Sequence, residues 1–136
     1  MAGGWTSVCA MPNTDPMNDS PAVTRFVIET SPARAAGQRF PIGCHYQGLR
    51  RQRTGSEMGE MKNAGIVAVS DDGRPVPTAG MMRRAMEYAR GFDLTVVDHC
   101  QDVSLTAGGV MHEGRWSLIL GLRGMPAAAE DVARDS

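Results

Sequence analysis

Short apolar runs recur along this chain at a nearly constant interval, with amphipathic stretches between them. Residues 6–11, 39–43, 66–70 and 94–98 read as β-strands. Their starts lie about 27 to 33 residues apart, the length of a strand-plus-helix unit. Between the runs the hydrophobic period becomes helical. Residues 80–90 place Met82, Ala85, Met86 and Ala89 on one face with the arginines largely opposite, and Gly91 is expected to end that helix. Residues 21–37 read as a helix capped by Asp19 or Ser20, with Pro21 in the first turn and a break or kink at Ser31-Pro32. Residues 57–63 form a shorter helix stopped by Gly65, and residues 126–135 an Ala-rich final one.

Strand alternating with helix at this period predicts an α/β fold with a parallel sheet. Its size corresponds to about four consecutive βα units of a (β/α)8 TIM-type barrel, a fold that typically needs ~250 residues. A single partial barrel domain is therefore expected over residues 1–136, with both ends reading as cuts through a larger fold.

Composition narrows the class without naming a function. The 136 residues are 42% hydrophobic and 21% charged, with a formal net charge of −1, which argues against disorder and against a global field for nucleic acid or an anionic membrane. No apolar run approaches the ~20 residues that span a bilayer, and no basic-then-apolar export signal opens the chain, so a cytoplasmic location is expected. Cys9, Cys44 and Cys100 have no Cys-x-x-Cys spacing, which supports neither a disulfide framework nor a thiolate zinc knuckle. Cys9 and Cys44 fall in or beside strand runs and read as small buried hydrophobes.

Candidate chemistry gathers where the strand runs stop. Asp71-Asp72-Gly73 follows residues 66–70, His99-Cys100 follows residues 94–98, and Met11-Pro12-Asn13-Thr14 ends the first run. In parallel α/β folds the carboxyl ends of strands carry the chemistry. A carboxylate and an imidazole delivered there from neighbouring strands have the donor types that zinc takes. Asp-Asp-Gly alone is most often a turn, and a lone strand-end histidine often bonds a neighbouring loop. Falling together at the same end of consecutive strands, the three motifs point to a site.

These stretches, with Ala2-Gly3-Gly4-Trp5-Thr6, Asn18-Asp19-Ser20-Pro21, Phe40-Pro41-Ile42-Gly43, Glu57-Met58-Gly59-Glu60-Met61, Ala107-Gly108-Gly109-Val110-Met111 and Pro126-Ala127-Ala128-Ala129-Glu130, resemble dihydroorotase of the amidohydrolase superfamily nearly end to end. The resemblance implies a (β/α)8 barrel with one or two zinc ions. The implied reaction is reversible closure of N-carbamoyl-L-aspartate to L-dihydroorotate in pyrimidine biosynthesis. By position it implies Asp72 and His99 as metal ligands and Asn13 as the residue that hydrogen-bonds the substrate carboxylate. Asp71 and Asp98 read either as turn residues or as acceptors that fix a neighbouring ligand.

The family's His-x-His-Leu-Arg motif would precede Met1, and its later histidine ligand and catalytic aspartate would follow Ser136. The chain alone is therefore expected to be inactive. Within the matched stretch, His45 stands where small or β-branched residues are usual and reads either as a substituted loop residue or as a strand-end side chain reaching toward a metal. Residues 47–55, carrying Arg50, Arg51 and Arg53, read as a solvated loop, and Gln101 replaces the usual glutamate. The helix after Glu130 looks about two residues short, which would rotate its end by roughly half a turn. Two rival readings remain: a hydantoinase or allantoinase relative, which would bridge its metals with a carboxylated lysine not seen here, and a non-catalytic subunit assembling with aspartate transcarbamoylase or with itself.

Overall fold

The computed structural model describes residues 4–30, 38–45 and 57–135. They fall into two compact units, Met1–Asp98 and His99–Ser136. The first unit is α/β, with strands β1 (Ser7–Ala10), β2 (Gln38–Cys44), β3 (Ala68–Ser70) and β4 (Thr95–Val97). They form one parallel sheet in chain order. Ala10 lies opposite Pro41, Cys44 opposite Ser70, and Ser70 opposite Val97. That register brings the carboxyl ends of β2, β3 and β4 level, as in consecutive units of a partial (β/α)8 barrel.

Helices α1 (Pro21–Glu29), α2 (Met58–Ala64) and α3 (Ala79–Arg90) fill the intervals that the period predicts. Ser20 caps α1, its hydroxyl accepting from the Val23 amide, with Pro21 at the first position. The helix closes at Thr30; the expected continuation to residue 37, the break at Ser31-Pro32 and the arginine loop at residues 47–55 lie outside the described residues. Gly65 ends α2 at φ +117°, the left-handed value that glycine adopts without steric cost. Gly91 does not play that part for α3, since its φ is −62°. Asp93 takes the left-handed position at φ +52° instead, and the Leu94 amide donates back to the Ala89 carbonyl at 3.1 Å.

The core of this unit lies between sheet and helices: Met58, Met61, Ile66, Val69, Ala89 and Leu94, with Phe92 and Val96 against them. A Cβ on Gly43 would meet Met61 Cε at 2.5 Å, so the β2 backbone itself forms part of the core wall. On α3 the buried line is Ala85 and Ala89; Met86, expected on that face, is 54% exposed because one further residue rotates it about 100° away. Cys44 is buried as expected, but Cys9 is exposed. The cause is topological: β1 ends the sheet order, and its alternation turns Val8 and Ala10 inward and Cys9 outward.

The second unit holds α4 (Val103–Thr106), β5 (Met111–His112), α5 (Arg115–Leu120), β6 (Gly124–Met125) and α6 (Ala128–Asp135). β5 and β6 pair in parallel, Met111 opposite Gly124. Their approach is close: a Cβ on Gly124 would lie 2.5 Å from Glu113 Cα. Asp102 caps α4 by accepting from the Ser104 and Leu105 amides, and its own amide donates to the Ala129 carbonyl, tying α4 to α6. Hydrogen bonds from Ser104 hold the Asp102 carboxyl below its usual pKa.

Candidate metal and substrate site

The loop that carries Asn13 is pinned at both ends. Pro12 is buried, and its carbonyl accepts from the Asn18 amide at 3.0 Å, closing residues 13–17 into a short excursion beyond β1. Asn18 is only 2% exposed and every polar group of it is used. Its side-chain amide donates to the Ile42 carbonyl at 2.8 Å and its Oδ1 accepts from the Thr24 hydroxyl at 2.8 Å. Its carbonyl accepts from the Cys44 amide at 2.7 Å. One residue thus joins the β1 exit, the carboxyl end of β2 and the first turns of α1. Asn13 is exposed, one position after the pinned Pro12. Nothing in the Asn18-Asp19-Ser20-Pro21 stretch itself marks Asn18 for this task, since its partners Ile42 and Cys44 are distant in the chain.

After β3 the chain turns through Asp71-Asp72-Gly73. The Asp71 carbonyl accepts from the Arg74 amide at 3.3 Å, so the turn expected from the motif forms. The Asp71 side chain is nonetheless buried, at 1% exposure. Asp72 is half-buried, sits at φ +32°, and donates its amide to the Ser70 hydroxyl at 3.1 Å. A non-glycine residue held at positive φ at a strand end is strained backbone of the kind found at binding sites.

His45 follows β2 directly and is 2% exposed, which fits the strand-end member of its two sequence readings and not the loop one. His45, Asp71 and Asp98 each stand one residue beyond the aligned ends Cys44, Ser70 and Val97; the first two are buried and Asp98 is exposed, so register alone does not bury this position. Burial lowers the His45 pKa to about 4, against the opposing pull of the Asp98 charge.

His99 opens the second unit, exposed, with Nε2 3.0 Å from Gln101 Oε1. Gln101 in turn donates from its amide nitrogen to the Thr106 hydroxyl at 2.7 Å. Asp72 and His99 thus stand in different compact units, each at the end of a strand.

Zinc takes about three or four protein donors in a tight site. Asp72 and His99 supply the right atom types, but among the described residues no group of three His, Cys, Asp or Glu side chains is placed to hold a metal ion. The fit is correct in kind and short in number. Among the described residues, no helix is long and apolar enough to cross a membrane.

Consecutive parallel βα units with chemistry-bearing side chains at the strand ends define the class, an α/β scaffold of the (β/α)8-barrel type. The comparison with known proteins is then specific. A family model described as dihydro-orotase-like matches residues 1–135. Curated relatives named dihydroorotase include those of Solibacter usitatus, 54% identical over 136 residues, Geobacter metallireducens, 52% over 132, and Acetivibrio thermocellus, 47% over 135. These alignments take in 97–98% of this chain and 31–32% of the relatives, so the chain spans about a third of their length. The chain belongs to the dihydro-orotase-like family.

Proposed function

We propose that this chain carries part of the active site of a zinc-dependent dihydroorotase, acting between N-carbamoyl-L-aspartate and L-dihydroorotate. In that reaction the carbamoyl nitrogen forms an amide bond to the side-chain carboxyl and one water leaves; hydrolysis runs it backward. The observation that carries the reading is family membership over residues 1–135, joined to the position of Asn13 after β1, Asp72 after β3 and His99 after β4. In this reading Asp72 and His99 are two of the metal's ligands, and the Asn13 amide donates to a substrate carboxylate. Zinc, when bound, supplies Lewis-acid polarisation of the reacting carbonyl. The chain's own contribution is to hold Asn13 on a loop that Asn18 has already fixed, so little ordering cost falls on substrate binding.

The test has two arms. N-carbamoyl-L-aspartate titrated into the 15N-labelled chain is expected to move the Asn13 side-chain amide resonance, and hydantoin and allantoin are expected not to. An equal response to the latter two would favour another cyclic amidohydrolase. Assayed with added zinc, the 136-residue chain is expected to give no measurable hydrolysis of L-dihydroorotate, because two donors do not make a tight zinc site. Zinc-dependent turnover by this chain would contradict that ligand count.

A further inference from the structure

Helix α5 is built inside out. Of its six residues, Trp116, Leu118, Ile119 and Leu120 are 58–82% exposed, and the buried one is polar, Ser117. The serine turns inward because its hydroxyl is in use: it donates to the Gly114 carbonyl at 2.8 Å and accepts from the Gly114 amide at 3.0 Å, closing the first turn. At about 100° per residue, Trp116 and Leu120 then fall on one flank of the helix, Leu118 on the other, and Ile119 opposite Ser117. The Leu122 amide donates back to the Ser117 carbonyl at 3.0 Å, which keeps Leu122, itself exposed, beside them. A helix apolar around its circumference is ordinarily a covered one.

The size and the margin of this face both suit a second copy of the chain. The five side chains present roughly 500–600 Å² of adjoining surface, the upper end of what a monomer leaves bare. Two such faces in contact remove about 1,000–1,200 Å² from water, close to the least at which specific interfaces form, so no larger partner is required. Arg115, Arg123 and Glu113 edge the apolar residues, all three exposed and, among the described residues, in no ion pair. A two-fold contact sets a patch against itself, so a margin holding both signs can pair across the axis. An anionic bilayer would attract the arginines but repel Glu113. We propose that α5 and Leu122 form a self-association surface, where two copies of this chain meet about a two-fold axis with the apolar side chains of each against the other. At this area the contact is weak, with dissociation in roughly the micromolar range. It does not depend on the reading of Asp72 and His99 as metal ligands.

The test is sedimentation equilibrium of the whole chain across the micromolar range, with 15N amide shifts followed over the same concentrations. A monomer–dimer equilibrium is expected, and the shifts that move with concentration are expected to gather on α5 and Leu122. Leu118→Lys places a charge at the most exposed apolar position and is expected to weaken the dimer by about tenfold or more. Phe26→Lys, on the exposed side of α1, is expected to leave it unchanged. The Asp102 amide, bonded to the Ala129 carbonyl, reports whether the second unit remains folded in Leu118→Lys. The concentration-dependent shifts of the wild type test the surface without any variant. A chain that stays monomeric throughout overturns the proposal; if that monomer binds phosphatidylglycerol vesicles through α5, the face belongs to a bilayer, and if it does not, to sequence such as the longer relatives carry. A dimer that Leu118→Lys leaves intact, or whose shifts gather on β1 or α1 instead, also overturns it.

Discussion

His45 is a base kept neutral by its surroundings, and that has a cost in acid. Its folded pKa of about 4 lies below its ordinary value of 6.5. The unfolded chain therefore binds the extra proton first as pH falls. The stability that rests on neutral His45 is complete above about pH 6.5 and drains away toward pH 4, a loss of about 3 kcal/mol across the window. Replacing His45 with Leu is expected to reduce the stability lost between pH 7.5 and 4.5 by about 2–3 kcal/mol, read from urea midpoints at both pH values. Parallel acid limbs in the two proteins would contradict this. Asn18→Ala strips the acceptor from Thr24 and the donor from Ile42, and is expected to cost about 1–3 kcal/mol. Hydrogen exchange at the Cys44 amide should accelerate with it; unchanged protection there would mean the latch is not holding the loop. The places of Asn13, Asp72 and His99 just beyond β1, β3 and β4 were legible in the sequence because motif and strand end coincide. The burial of His45 was not, because the same register position is exposed at Asp98, and no local pattern around Cys44-His45-Tyr46 encodes that difference. Asn18 was hidden for a similar reason, since its partners Ile42 and Cys44 lie more than twenty residues away.

The helices of the first unit follow the written pattern because each buries one face, whereas β3 and the end of β2 are buried throughout. Gly43 and Val69, paired across β2 and β3, lie on the side of the core that holds Met61. Met61→Ala, in the fully buried center of that contact, is expected to cost about 2–5 kcal/mol, whereas Met86→Ala on the exposed side of α3 should stay within about 0.5 kcal/mol. Equal thermal shifts in the two variants would contradict the assigned faces. The second unit was far less legible. Its strands have two residues each and α5 has six, too few for a period to declare itself, and Trp116, Leu118, Ile119 and Leu120 on α5 are all exposed. Its structure depends on close approach instead. Gly124→Ala drives a methyl group onto the Glu113 backbone and is expected to cost that unit about 1–3 kcal/mol. The Val110 and Glu113 amides, which donate to Arg123 and Met125 carbonyls, should lose protection while those of β3 keep theirs. Retained protection at Val110 and Glu113 would show that the β5–β6 pair tolerates a side chain there.

Taken whole, the chain places Asn13, Asp72 and His99 beyond the ends of β1, β3 and β4 while spanning about a third of the length of its curated relatives. Family and fold class were readable because strand-end motifs survive in order and at spacing along almost the entire sequence. What no sequence pattern supplies is convergence, since Asp72 and His99 belong to different compact units and ligation is a property of the space between side chains. Cobalt(II), a paramagnetic substitute for zinc, tests that convergence when titrated into the 15N-labelled chain. The Asp72 amide and the His99 ring are expected to broaden in parallel as cobalt is added, with the weak affinity that two donors give, and Asp72→Asn or His99→Gln is expected to abolish the effect at the other position. Broadening at one of the two without the other, or at neither, would contradict a shared metal site.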